Sequence, residues 1–138
     1  MTDDCPFCAI VDGDAPASAV HETDDTLAFM DIAPVTEGHA LVIPKAHSAG
    51  LDGLAPDTGG RLFRVGQEIT AALRASDVPT EGINLFLADG AVAGQEVFHV
   101  HLHVIPRTGD DSVTLGFERS EPGRERLDEL ADAVAAEL

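Results

Sequence analysis

The chain has 138 residues, with 25 acidic against 8 basic side chains, a formal net charge of −17 and 44% hydrophobic residues. That length makes one domain with a single core, and the apolar content argues against disorder. Nucleic acid and anionic membranes are poor partners for such a charge, because a polyanion is repelled over most of the surface. No apolar run approaches membrane-spanning length, and the opening Met1-Thr2-Asp3-Asp4-Cys5 is acidic rather than signal-like, so a cytoplasmic protein is expected. Lys45 is the sole lysine. Scarce lysine with this net charge reads as adaptation to concentrated salt, where the Debye length falls to about 3 Å at 1 M. The alternative is a merely acidic protein from ordinary surroundings.

In chain order, Cys5-Pro6-Phe7-Cys8 is followed by the apolar run Ala9-Ile10-Val11 and a turn at Asp12-Gly13-Asp14. Strands are expected over Thr26–Asp31 and His39–Pro44, joined by the loop Ala33–Gly38. Leu62, Val65, Ile69 and Leu73 recur at helical spacing within a helix expected over Pro56–Ser76. Ile83–Ala88 is a further strand, followed by a turn-rich loop from Asp89-Gly90 to Gly94. Thr108–Arg119 is polar and matches neither period. A closing helix is expected over Glu121–Glu137, capped by Ser120, with Leu127, Leu130, Val134 and Leu138 on one face. Strands in a run, interrupted by one long helix and closed by another, make an α+β domain with an antiparallel sheet.

The stretch Phe98-His99-Val100-His101-Leu102-His103-Val104-Ile105-Pro106 is the most specific feature. In one strand His99, His101 and His103 would share a face, the outer two roughly 6.6 Å apart, with Val100, Leu102 and Val104 on the other. A bland wet face would carry Thr, Ser or Lys. Three titratable rings point instead to catalysis or to metal binding. Separately, Cys5 and Cys8 in C-x2-C spacing are compatible with zinc, a disulfide, a redox pair or free thiols; the βαβ context of a thioredoxin-like redox site is absent.

Gly94-Gln95-Glu96-Val97-Phe98-His99-Val100-His101-Leu102-His103-Val104-Ile105-Pro106-Arg107 resembles the signature of the histidine triad (HIT) family of nucleotide hydrolases and transferases. Phe29-Met30-Asp31-Ile32-Ala33-Pro34 and Gly38-His39-Ala40-Leu41-Val42-Ile43-Pro44-Lys45-Ala46-His47 are similar to a second block of that family. Cys5-Pro6-Phe7-Cys8 opens the chain as in its zinc-carrying microbial members. The resemblance covers about residues 5–107 of a single domain spanning 1–138. It implies a sheet of about five antiparallel strands with two main helices, pairing into a homodimer edge to edge.

The resemblance makes His101 the nucleophile. A neutral imidazole attacks phosphorus, leaves a nucleotidyl-histidine, and water then releases a nucleoside monophosphate. The other ring nitrogen must hold its proton and be held in place, a task for neighbouring carbonyls and rings. His103 is placed to donate to a phosphate oxygen or the leaving group, Gln95 to donate its amide to a reacting oxygen, and the Gly94–Val97 backbone to offer N–H groups to phosphate. Asp31 is expected to accept from the ribose hydroxyls, with Phe7, Ile10, Phe29 and Ile32 as an apolar wall around the base and His39 supporting another ring. His47 and His99 would join Cys5 and Cys8 around a structural zinc with no open position. His21 is expected on the surface.

Two departures from the family pattern stand out. Ala88 occupies a position where relatives commonly carry asparagine, and Glu96 one where animal members carry a small hydroxyl residue. The expected activity is cleavage of a nucleoside phosphoramidate, or of a related nucleoside-monophosphate ester or anhydride, with adenosine as the base. A dinucleoside polyphosphate hydrolase, a nucleotide-binding module without turnover, and a metal-centred hydrolase using the three histidines directly are the alternatives.

Overall fold

The computed structural model describes residues 4–138; Met1 to Asp3 of the acidic opening segment lie outside the described residues. Among the described residues, five strands form one antiparallel sheet in the order β1-β2-β3-β5-β4: β1 Ala19–Glu22, β2 Thr26–Met30, β3 Ala40–Pro44, β4 Gly82–Phe86 and β5 Leu102–Arg107. Three helices accompany it: α1 Pro6–Val11, α2 Pro56–Ala75 and α3 Arg124–Ala135. No helix is long and apolar enough to cross a membrane.

Alternation along the central strands divides the molecule in two. Ala28, Ala40, Val42, Leu102 and Val104 point to one face and pack with Leu62, Val65, Ile69 and Leu73 of α2. Gly66 lets α2 approach closely, since a Cβ there would come within 3.1 Å of Leu102 Cδ2. Leu27, Phe29, Leu41 and Ile43 point the other way and pack with Cys5, Phe7 and Cys8 around α1. The long helix therefore closes the core on one face, and the short cysteine-bearing helix sits on the face toward which His103 projects. Gly38 makes the turn into β3 at φ 91°, a conformation that L side chains rarely adopt.

Several expected boundaries move, each for a local reason. The histidine segment pairs in the sheet only from Leu102 onward, where Leu102 faces Val42 and His103 faces Leu41. His99 lies in a bend, and the amide of Val100 donates to Ser48 O at 2.8 Å, outside the ladder. The strand expected over Ile83–Ala88 runs Gly82–Phe86. The closing helix starts at Arg124, with Gly123 as N-cap and no side-chain cap, rather than after Ser120. Pro122 explains this, because the residue before a proline is disfavoured in helical conformation. The apolar face of α3 finds no cover: Leu127, Leu130 and Val134 are 39–64% exposed.

Two elements carry weak sequence signals. The edge strand β1 is four exposed residues, too short to show alternation. α1 begins at Pro6, a residue pre-set for the first helical position, and the Cys5 sulfur accepts from the Cys8 amide at 3.3 Å as its cap. The C-x2-C spacing is thus one helical turn, which places both sulfurs on the same side.

Candidate active site

The three histidines of the signature take three different partners. His99 is fully buried, and its Nε2 lies 2.7 Å from Pro44 O. A carbonyl only accepts, so Nε2 carries the proton and Nδ1 presents its lone pair. That lone pair faces Cys5 Sγ at 3.4 Å, Cys8 Sγ at 3.5 Å and His47 Nδ1 at 3.2 Å, while Cys8 Sγ lies 3.3 Å from His47 Nδ1. All four ligand atoms lie within 4.8 Å of one another. Tetrahedral zinc with ordinary bond lengths sets nitrogen–nitrogen edges of about 3.3 Å and nitrogen–sulfur edges of about 3.5 Å, so the donor set fits the ion in type and spacing. Without a cation, burial and the neighbouring Cys5 push the Cys8 thiol up to about 11. A bound divalent ion inverts that preference.

His101 is 6% exposed, and its Nδ1 lies 2.8 Å from His99 O. The same logic places the proton on Nδ1 and leaves Nε2 with a free lone pair, the state a nucleophile needs. Phe7 packs edge-on against both rings, with centroids 5.1 Å from His101 and 5.9 Å from His99. This one aromatic ring bridges the sulfur cluster and His101.

His103 stands beside His101, ring centroids 4.9 Å apart, and is flanked by Phe86 of β4 at 5.5 Å. Its Nδ1 lies 2.9 Å from Nε2 of His39. His39 is buried, and its own Nδ1 accepts from the Val35 amide at 3.1 Å. The His39 proton is therefore on Nε2 and points at His103, which in turn keeps its proton on Nε2. Asp31 completes the row. Its Oδ2 lies 3.4 Å from His39 Nε2, and its Oδ1 accepts from the Ala33 amide at 2.8 Å. Among the described residues, no buried side-chain nitrogen or oxygen lacks a partner.

The expected residues divide clearly. The structure brings His101, His103, His39, Asp31, Phe7 and Phe29 together, with Phe7 and Phe29 edge to face at 5.5 Å. Ile10 packs partly buried against the same cluster, and Ile32 is 100% exposed. Gln95 is corrected. Its amide nitrogen donates to Ala49 O at 2.7 Å and Val97 O at 3.1 Å, and its oxygen accepts from the Gly90 amide at 2.8 Å. Both donors are occupied, so Gln95 ties the 90–97 loop to the segment after His47 instead of presenting a free N–H.

The expected phosphate cradle is shortened in the same way, because the Gly94 and Gln95 amides donate to Ala91 O and Gly90 O. Glu96 is exposed, Ala88 is buried, and Val97 is half-buried beside the α1 cluster. His21 is exposed, as expected. The metal-centred alternative fails on geometry, since His99 and His101 point to different partners and the three rings do not converge. Sequence reasoning missed the Val35 amide as a partner of His39. No side-chain pattern signals a backbone donor across a loop.

Burial, with the neighbouring His101 and His39, lowers His103 to about 4, against a smaller opposing pull from Asp31. Burial also lowers His39. An unfolded histidine titrates near 6.5, so between about 4 and 6.5 the unfolded chain binds more protons than the folded one. The contribution of these two rings to stability is complete above about pH 6.5 and declines as pH falls toward 4. Urea melts at pH 7.5, 5.5 and 4.5 should show this loss, with a smaller slope in H103Q. An unchanged slope in H103Q would contradict the assignment.

A family model of the HIT domain matches residues 12–110. An adenosine 5′-monophosphoramidase of Schizosaccharomyces pombe is 33% identical over 135 residues, covering 97% of this chain and 98% of its own. The crystal structure of a HIT family protein from Bacillus anthracis matches with a TM-score of 0.93 at 40% identity, over 99% of this chain and 98% of that one. A zinc-bound histidine triad family protein from Mycobacterium smegmatis matches with a TM-score of 0.79 at 42% identity, over 99% of this chain and 96% of that one. With a family model matched over residues 12–110 and relatives covered almost end to end, the chain belongs to the HIT family.

Proposed function

We propose that this protein is a nucleoside phosphoramidate hydrolase acting through a covalent nucleotidyl-histidine on His101, with adenosine 5′-phosphoramidates as the substrate class. The observation that carries the reading is the His101 ring itself. Its Nδ1 proton is held by the His99 carbonyl at 2.8 Å, so its Nε2 lone pair is free beside His103. The likeness to an adenosine 5′-monophosphoramidase supports the substrate class.

In the first step Nε2 of His101 forms a bond to phosphorus while the bond to the leaving group breaks. The leaving group departs with its electron pair and takes a proton from solvent. His103 stays neutral and donates its Nε2–H to a phosphoryl oxygen or to the leaving atom, an electrostatic contribution made in a partly buried site. Water then attacks phosphorus and gives one proton to solvent, the bond to His101 breaks, and the lone pair returns to Nε2. Asp31 accepts from the ribose hydroxyls, and Phe7 and Phe29 contact the base. Gln95 acts by holding the loop.

Cys5, Cys8, His47 and His99 hold zinc in this reading, and the likeness to a zinc-bound relative supports it. When bound, the ion ties α1 to the segment after β3 and supplies stability rather than a reacting group. Pairing into a homodimer through the β4 edge belongs to the same reading, carried by exposed Leu85 and Phe86 on that edge. A cytoplasmic setting rich in salt accords with the charge and the single lysine.

Wild type and H101A, incubated with adenosine 5′-phosphoramidate in molar KCl, give the decisive comparison. Wild type should release AMP, and H101A should lose about 10⁴-fold of that rate or more while remaining folded. Equal release by both would refute the nucleophile. AMP binding without release would select the binding-module reading, and preference for a diadenosine polyphosphate the other hydrolase branch. Native mass spectrometry of the intact protein tests the assembly, with two chains and two zinc ions expected. Monomers would contradict the pairing, and metal-free chains the zinc.

A further inference from the structure

His39 carries one proton with two claimants. The Val35 amide occupies its Nδ1 at 3.1 Å, so the single N–H lies on Nε2, 2.9 Å from His103 Nδ1 and 3.4 Å from Asp31 Oδ2. Asp31, His39 and His103 also have the donor types of a metal site. The Val35 amide argues against that use, because ligation through Nε2 would require an imidazolate. The His39 Nε2–H thus donates to His103 Nδ1, while the Asp31 carboxylate 3.4 Å away pulls electrostatically on the same N–H, and the direction of that N–H depends on how strongly Asp31 pulls.

We infer that His39 is a positioning residue through which ribose recognition at Asp31 controls His103: ribose hydroxyls bound to Asp31 free the His39 Nε2–H to donate fully to His103 Nδ1, the proton staying on His39. The inference rests on the proposed function for the ribose contact at Asp31. Hydroxyl donors disperse the charge on the carboxylate and weaken its hold on Nε2–H. The bond to His103 then shortens toward a single well-made contact, and the His103 ring is held with its own Nε2–H aimed at the phosphate. A substrate without ribose hydroxyls leaves Asp31 competing for the proton and His103 poorly oriented. Ribose recognition would then act on turnover as well as on affinity. A side chain that only binds ribose, equally in ground and transition states, would act on KM alone.

The experiment compares adenosine 5′-phosphoramidate with its 2′,3′-dideoxy analogue in wild type, H39L and H39Q. In wild type, removing the hydroxyls should lower kcat by about 10-fold or more in addition to raising KM. In H39L, which keeps bulk but has no N–H, kcat on the ribo substrate should fall to about the dideoxy level. The hydroxyls should then affect KM only. H39Q places an amide N–H near the Nε2 position and should recover most of the ribose dependence of kcat. A dideoxy effect confined to KM in wild type would overturn the inference, as would an undiminished kcat effect in H39L.

If wild type turns over neither substrate, the hydrolase reading fails, and a binding measurement decides the inference by itself. The ¹⁵N shifts of the His103 ring are recorded with AMP and with 2′,3′-dideoxy-AMP bound. A stronger hydrogen bond at Nδ1 with AMP alone supports the coupling. Identical shifts with both nucleotides refute it.

Discussion

Everything at this site depends on one hydrogen bond from a ring to the backbone two residues before it, His101 Nδ1 to His99 O at 2.8 Å. Because the acceptor is a carbonyl, the bond chooses the tautomer as well as the orientation. The carbonyl is itself fixed, since His99 is fully buried and anchored through Nε2 to Pro44 O at the end of β3. Backbone acceptors thus set the protons of two neighbouring histidines, and the two free lone pairs that result face in different directions. One faces the sulfur cluster, and the other belongs to the ring that stands beside His103. A backbone donor, the Val35 amide, sets the third and fourth rings through His39.

This arrangement explains why the two buried faces of the sheet differ. The face under α2 is aliphatic and tightly packed, with Gly66 bringing the helix down onto Leu102. The other face carries sulfur, aromatic and imidazole groups around α1, where Phe7 touches both His99 and His101. Edge-on aromatic contacts of this kind are worth about 0.5–1.5 kcal/mol beyond their burial. An unpaired buried ring nitrogen would cost about 1–3 kcal/mol, so the backbone partners of the His99, His101 and His39 rings are a folding requirement in their own right. The Cys/His cluster, the core and His101 are packed through the same side chains, so perturbing any one of them reaches the others.

Much of this was legible in the residues. Alternation placed Leu102 and Val104 opposite His103, and the spacing of Leu62, Val65, Ile69 and Leu73 located α2 and its buried face. The signature and its upstream block identified His101, His103, Asp31 and His39 as neighbours. What failed to show was set by backbone geometry. Period-2 reasoning treated His99 to His103 as one continuous strand, but the amide of Val100 turns aside to Ser48, which lets His99 swing into the cysteine cluster. Gln95 carries an amide that suits catalysis by type, yet three backbone partners occupy it. The late start of α3 was written in Pro122, whose effect on its predecessor outweighs a favourable capping residue upstream.

The division of labour among His99, His101 and His103 is the claim on which the account stands. It is tested most directly by stopping wild-type turnover of adenosine 5′-phosphoramidate at alkaline pH and locating the nucleotidyl group on the peptide that spans residues 99–103. The account predicts AMP on His101, attached through Nε2. An adduct on His99 or His103, or attachment through Nδ1 of His101, would contradict it.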